Sequence, residues 1–173
     1  KELGKLSLED LEKYPDQILA NSSQYLAKAY CLRADIKFRH QQWTEALQDL
    51  NNAIEYRCDF EVAYEARSQI YKKFLRNKEA LEDTNILIFL LFPDQGGIIA
   101  AYSRRAQIYR RMGNFEEALK DCESALLLSK RVYYTYLTRG NIKEHFQEFE
   151  KALEDYNQAV LISEYGSISS RSI

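Results

Sequence analysis

Residues 99–128 read IAAYSRRAQIYRRMGNFEEALKDCESALLL. Two amphipathic stretches, Ile99 to Met112 and Phe115 to Leu128, flank Gly113-Asn114. Gly113 tolerates the positive φ that closes a helix, so the stretch reads as a helical hairpin. Its Ala118-Leu119 pair recurs as Ala46-Leu47, Ala80-Leu81 and Ala152-Leu153, at spacings of 34, 38 and 34 residues. A period of that size marks a solenoid of stacked hairpins, because one hairpin cannot bury its apolar face alone.

The other units follow the same plan. Ala27 to Arg39 leads through His40-Gln41-Gln42 into Trp43 to Tyr56. Glu61 to Phe74 is followed by Lys78 to about Leu91, and Val132 to Phe146 by Phe149 to Ser163. Tyr30, Tyr64, Tyr102 and Tyr136 open the first helices, and Ile36, Ile70, Ile108 and Ile142 lie six residues later. Ala34, Ser68, Ala106 and Gly140 are small, as a close helix crossing requires. Trp43, Phe115 and Phe149 follow the turns, with Asn77 as the exception. Ile54, Ile88, Leu126 and Val160 close an apolar seam on the second helices.

One polar pair recurs in phase. Arg33, Arg67, Arg105 and Arg139 each precede Asp49, Asp83, Asp121 and Asp155 by 16 residues. A bidentate Arg–carboxylate pair between packed helices accounts for this, and its regularity points to architecture rather than to an anion site.

Composition narrows the function. The chain has 173 residues, two prolines and six glycines, which leaves little room for linkers. Its net charge of −2 gives no sign of bulk attraction to nucleic acid or membrane. No apolar run reaches the length of about 20 residues needed to span a bilayer. The start shows no secretory pattern, although Lys1 rather than methionine leaves room for an upstream signal. Cys31, Cys58 and Cys122, odd in number and scattered, read as free thiols in a reducing compartment, which suggests the cytoplasm with the nucleus left open. His40 and His145 lie in separate units without metal-ligand spacing, and no glycine-rich phosphate loop is present. No catalytic residue, metal or cofactor is therefore expected, and the chain does not read as an enzyme.

Taken together, these columns make the chain resemble the tetratricopeptide repeat family. Its small–alanine–small signature falls at Ala34/Ala46/Ala53, Ala106/Ala118/Ala125 and Gly140/Ala152/Ala159, while Ser68/Ala80/Leu87 departs at Leu87. The resemblance implies an all-α, right-handed superhelix of antiparallel hairpins. It gives four units at about 27–60, 61–94, 99–131 and 133–165 within a 23–165 domain. Residues 1–22 would be a flank or capping helix, with Ser7 as cap and Pro15 as its end, and 166–173 a flexible tail.

In that family the first helices line a concave groove. The corresponding positions here include Lys28, Cys31, Leu32, Asp35, Phe38, Arg39, Val62, Glu65, Ala66 and Gln69. Further along they include Lys72, Lys73, Arg104, Gln107, Arg110, Arg111, Asn141, Glu144 and His145. The full set carries seven Lys or Arg against three Asp or Glu. A peptide or protein partner in a groove lined by Lys28, Arg39, Gln69, Lys72, Lys73, Arg104, Gln107, Arg111, Asn141 and His145, its acidic segment anchored by arginines and oriented by Gln107 and Asn141, is one reading. Ordinary solvation of long cationic side chains is the other. The subclass that clamps a chaperone's terminal carboxylate is not matched, because Cys31, Asp35, Ala66 and Ala100 stand at its positions and only Arg104 fits.

The apolar run Ile86 to Phe92 lies before the connector Pro93-Asp94-Gln95-Gly96-Gly97. It is read either as packing around that connector or as an exposed contact through Ile86, Phe89, Leu90 and Phe92. The leading expectation is thus a scaffold for protein or peptide partners. A homo-oligomerisation module is the alternative, and a single-strand RNA reader ranks below both.

Overall fold

The computed structural model describes residues 15–92 and 95–169, with side chains over 22–92 and 96–164. The described residues form eight helices and no strand. They are α1 (Pro15–Arg39), α2 (Trp43–Tyr56), α3 (Glu61–Lys73), α4 (Asn77–Leu90), α5 (Gln95–Met112), α6 (Phe115–Leu128), α7 (Tyr133–His145) and α8 (Phe149–Ser169). The chain divides into two compact units, Lys1–Ile70 and Tyr71–Ile173, with the division inside α3.

The hairpin turns share one geometry. Gln41, Leu75, Gly113 and Gln147 have φ of 61°, 59°, 81° and 60°. After each, the next N–H reaches back to a carbonyl five residues earlier: Gln42 to Lys37, Arg76 to Tyr71, Asn114 to Tyr109 and Glu148 to Lys143, all at 2.9 Å. This is the double-bonded helix stop that satisfies otherwise orphaned carbonyls. Only the third turn uses glycine; the other three hold a side chain in a left-handed conformation that costs about 1 kcal/mol.

In the first unit the core is built from small residues where helices cross and long ones between them. Ala27, Ala34, Ala46, Ala53 and Ala63 are buried with Leu50 and Ile70, and Tyr30, Phe38, Leu47, Ile54 and Phe60 close around them. In the second unit Ala80, Leu87, Ala106, Ala118 and Ala125 are buried with Ile108 and Ile142. Leu87, the departure from the small-residue pattern, is itself only 1% exposed. Two hydroxyls replace apolar atoms between α5 and α7. Ser103 Oγ donates to the carbonyl of Ile99 at 2.8 Å and lies 2.6 Å from Thr135 Oγ1. With its proton committed to the carbonyl, Ser103 accepts from Thr135, so both buried hydroxyls are satisfied.

Several boundaries differ from the sequence reading. Pro15, expected to end a helix, opens α1, where a residue without an N–H loses no helical bond. The short helix expected before it lies outside the described residues, as do Pro93 and Asp94 of the connector. Gly96 and Gly97 belong to α5, whose first turn tolerates glycine because its N–H groups have no intrahelical acceptor. The last helix runs to Ser169, into the segment read as a flexible tail. Ile162, just before the end expected at Ser163, packs against Leu126, Tyr136 and Ala159.

Two columns are uneven. Ile70, Ile108 and Ile142 are at most 1% exposed, whereas Ile36 is 58% exposed; Leu126 is buried, whereas Val160 is exposed. The residue types repeat along the chain, but their burial depends on whether a neighbouring helix covers the same face.

Candidate functional site

Each first helix carries a Tyr-x-x-Arg step, which puts the ring and the guanidinium on one face. The Arg carbon lies 5.2, 5.5, 5.6 and 5.5 Å from the ring centres of Tyr30, Tyr64, Tyr102 and Tyr136, for Arg33, Arg67, Arg105 and Arg139 respectively. Stacking on the ring orients the guanidinium fork for a partner on the second helix.

Arg33 donates from Nε and Nη2 to Asp49 at 2.8 and 2.6 Å. Arg105 does the same to Asp121 at 2.7 and 2.7 Å, and Arg139 to Asp155 at 2.9 and 2.6 Å. Arg67 donates from Nη1 to Asn51 at 2.8 Å, and Asp83 is 2% exposed. A second cation joins two of the forks: Lys37 reaches Asp49 at 2.8 Å and Lys143 reaches Asp155 at 2.9 Å. The Arg33 fork, the strongest influence on Asp49, holds its carboxyl below the usual range despite burial. Burial pushes Asp155 upward, but Arg139 and Lys143 together outweigh it and hold this carboxyl low as well. Sequence reasoning missed these lysines, although each lies four residues after its arginine, one helical turn along the same face.

The other candidate residues separate into three groups. In the second unit, Lys72, Gln107 and Arg111 come together. Lys72 Nζ donates to Gln107 Oε1 at 3.1 Å, and Arg111 Nη1 donates to the Lys72 carbonyl at 2.7 Å. Burial lowers the Lys72 pKa, and the positive charges of Arg111 and Arg104 lower it further. Arg110 Nε, on the same helix, is buried without a hydrogen-bond partner among the described residues.

Asn141 and His145 are engaged elsewhere. The single proton of the Tyr156 hydroxyl is shared between Glu144 Oε2 at 2.6 Å and Asn141 Oδ1 at 2.8 Å. Burial and the Glu144 carboxylate push Tyr156 up to about 12. The His145 ring lies 4.5 Å from that of Phe115, and Phe146 meets both edge-on. His145 thus stacks in an exposed aromatic cluster where α6 and α7 meet.

In the first unit, Gln69 lines an open concavity of about 390 Å³. Its other walls are Cys31, Leu32, Ala34, Asp35 and Phe38 of α1, Leu50 of α2, and Val62, Glu65, Ala66 and Ile70 of α3. Lys28 and Arg39 are not part of it. Arg39 instead pairs with Asp35 at 2.7 Å on the exposed surface of α1.

Of the apolar run, Ile86, Phe89 and Phe92 are 37%, 81% and 75% exposed, at three-residue intervals, and Leu90 is half-buried. Cys31, Cys58 and Cys122 are free; burial pushes the Cys31 thiol up to about 11 and Cys122 up to about 12. Among the described residues there is no group of three or more potential metal ligands, and no helix is long and apolar enough to cross a membrane.

Known proteins give the class. Residues 99–131 match the family model described as tetratricopeptide repeat. No curated protein matches the chain. Among solved structures, the crystal structure of MamA superposes with a TM-score of 0.72 at 13% identity, covering 94% of this chain and 98% of that one. The first TPR of Spaghetti (RPAP3), bound to the HSP90 peptide SRMEEVD, gives 0.65 at 20% identity, covering 72% and 95%. The second TPR domain of the human RPAP3 protein, in complex with the HSP70 peptide SGPTIEEVD, gives 0.61 at 21% identity, covering 72% and 98%. At such identities the likeness is one of fold. Residues 99–131 carry a tetratricopeptide repeat, and the described residues share with these structures an all-helical fold of antiparallel hairpins.

Proposed function

We propose that this chain is a protein-interaction scaffold that holds an acidic peptide segment in its second unit through Lys72, Arg104 and Arg111, with Gln107 as the polar guide. The convergence of Lys72, Gln107 and Arg111 carries the reading. Burial lowers the Lys72 pKa and the nearby Arg111 and Arg104 lower it further; these three cations repel one another, and an anion docked among them relieves that repulsion. Lys73, next along α3, extends the basic surface. The fold supports a scaffold rather than an enzyme, and the neighbours bound to peptides support a peptide as the partner class.

The two RPAP3 domains are bound to chaperone peptides ending in EEVD. With Cys31, Asp35, Ala66 and Ala100 at the clamp positions of this chain, recognition of a terminal carboxylate is not part of the proposal. Cysteines kept as thiols favour a cytoplasmic location.

The test is an array of unstructured peptides varying in acidity, phosphorylation and C-terminal amidation, read against the parent and a Lys73→Glu/Arg104→Glu/Arg111→Glu variant. Saturable binding of acidic peptides, lost in a variant whose circular dichroism and melting match the parent, supports the site. Binding that ignores these changes, or follows the free C-terminus alone, overturns it. A steep loss of nucleic-acid binding with salt would instead favour the RNA reading.

The exposure of Ile86, Phe89 and Phe92 favours a second reading, self-association through this stripe. Sedimentation velocity on the parent and on Phe89→Ser tests it: a dimer that Phe89→Ser converts to monomer supports the stripe, and a monomeric parent rejects it.

A further inference from the structure

The concavity in the first unit differs in chemistry from the basic cluster. Its floor is buried and apolar: Ala34 at 2%, Leu50 at 1% and Ile70 at 1% exposure. At its mouth Leu32 and Val62 are 59% and 47% exposed, so two large apolar side chains face water without closing over it. Its volume of about 390 Å³ lies within the range that holds small ligands and side-chain anchors, about 300–1,000 Å³. Among the described residues, its charged lining consists of carboxylates only, Asp35 on α1 and Glu65 on α3, and no Lys, Arg or His lines it.

Asp35 is bonded through Oδ2 to Arg39, but both side chains are more than half exposed. Such a surface pair is weak, about 0–1 kcal/mol, so an incoming cation exchanges with it at little cost. Cys31 forms part of the wall as a thiol.

The geometry points to a docking site for a peptide segment that inserts one large apolar side chain between α1 and α3 and presents an Arg or Lys next to it to Asp35 and Glu65. The apolar floor supplies the affinity of burial, and the carboxylates select the sign of the flanking charge. This rests on the reading of the chain as a peptide-binding scaffold but not on the acidic specificity proposed for the second unit. The charge preference here is the opposite one.

The experiment is an amide and methyl NMR titration of the full chain with three capped pentapeptides: Gly-Arg-Leu-Arg-Gly, Gly-Glu-Leu-Glu-Gly and Gly-Arg-Ala-Arg-Gly. The expected result is saturable shifts at Leu32, Val62 and Ala66 with the first peptide. Two weak charge pairs, at exposed Asp35 and half-buried Glu65, predict about fivefold weaker binding of the second, and loss of the leucine predicts no saturation by the third. An Asp35→Asn/Glu65→Gln variant should abolish the preference for arginine over glutamate while the leucine peptide still binds; Asp35→Asn alone, at an exposed position, serves if the double variant melts early. Equal binding of the Arg- and Glu-flanked peptides, or no shifts at Leu32, Val62 and Ala66, overturns the proposal. Failure of acidic peptides at Lys72, Arg104 and Arg111 would leave it standing, so the two specificities fail separately.

Discussion

The first hairpin, α1–α2, and the last, α7–α8, carry the same polar motif on different packing. Tyr30, Arg33, Lys37 and Asp49 in one match Tyr136, Arg139, Lys143 and Asp155 in the other, with the same bonds. One position further along, the pairs diverge. Ala34 goes with Leu50 in the first hairpin, and Gly140 goes with Tyr156 in the last. A Cβ added to Gly140 would stand 2.7 Å from a ring carbon of Tyr156, so the missing methyl is the space the ring occupies. That ring carries its hydroxyl to Asn141 and Glu144 and ties up side chains facing away from the core. In the first hairpin Leu50 stays in the floor of an open concavity. The shared columns specify the hairpin, and small exchanges of volume beside them decide whether its surface is left open or internally engaged.

The comparison breaks most sharply at the forks. Asp155→Ala leaves Arg139 and Lys143, 24% and 19% exposed, without their carboxylate, and should cost about 3 kcal/mol in urea unfolding. Asp49→Ala should cost less, because Arg33 is 57% exposed and can turn to water. Equal losses would mean that the forks do not differ in burial as their geometry indicates. Both carboxylates are held below their usual pKa in the fold. Their stabilisation is therefore complete above the unfolded value of about 3.9 and is lost as pH falls through the folded one. Melting temperature followed from pH 7 down to about pH 2 should drop below about pH 4 in the parent and drop less in Asp155→Ala.

Next in size is the isoleucine column. Ile142→Ala removes a fully buried side chain and should cost about 3 kcal/mol, whereas Ile36→Ala, at 58% exposure, should stay within about 0.5 kcal/mol. Matching losses would show that Ile36 is covered in solution.

A smaller effect tests the volume exchange. Gly140→Ala should destabilise the last hairpin by about 2 kcal/mol through overpacking against Tyr156, and a second change, Tyr156→Leu, should recover most of it. Smallest are the turns. Gln41→Gly and Gln147→Gly should each stabilise by up to about 1 kcal/mol by relieving a left-handed residue, and Gly113→Ala should lose a similar amount. A gain in only one hairpin would locate a difference between two turns that look alike.

Much of the hairpin plan was legible because its signals are local. A positive-φ glycine at Gly113, a Tyr-x-x-Arg step and a fixed Arg–Asp interval all lie within one hairpin, so a single chain displays them. The candidate site was less legible. The net charge of the groove positions carries no record of which of them meet: within the first unit Asp35 and Glu65 share a concavity with Leu32 and Val62, and within the second Lys72, Gln107 and Arg111 converge. His145, a groove-edge position by its register, stacks on Phe115, a contact between two hairpins that no local spacing displays.

The sequence by itself determined the class of protein, its hairpin period and the chemistry of its repeated columns, because those are set by contacts between residues at fixed separations. Tertiary structure alone decided which members of a column are buried, as with Ile36 against Ile142, and which polar groups meet, as with Tyr156, Asn141 and Glu144. Burial depends on the helix that packs against a face, and repetition along the chain carries no record of which faces remain uncovered.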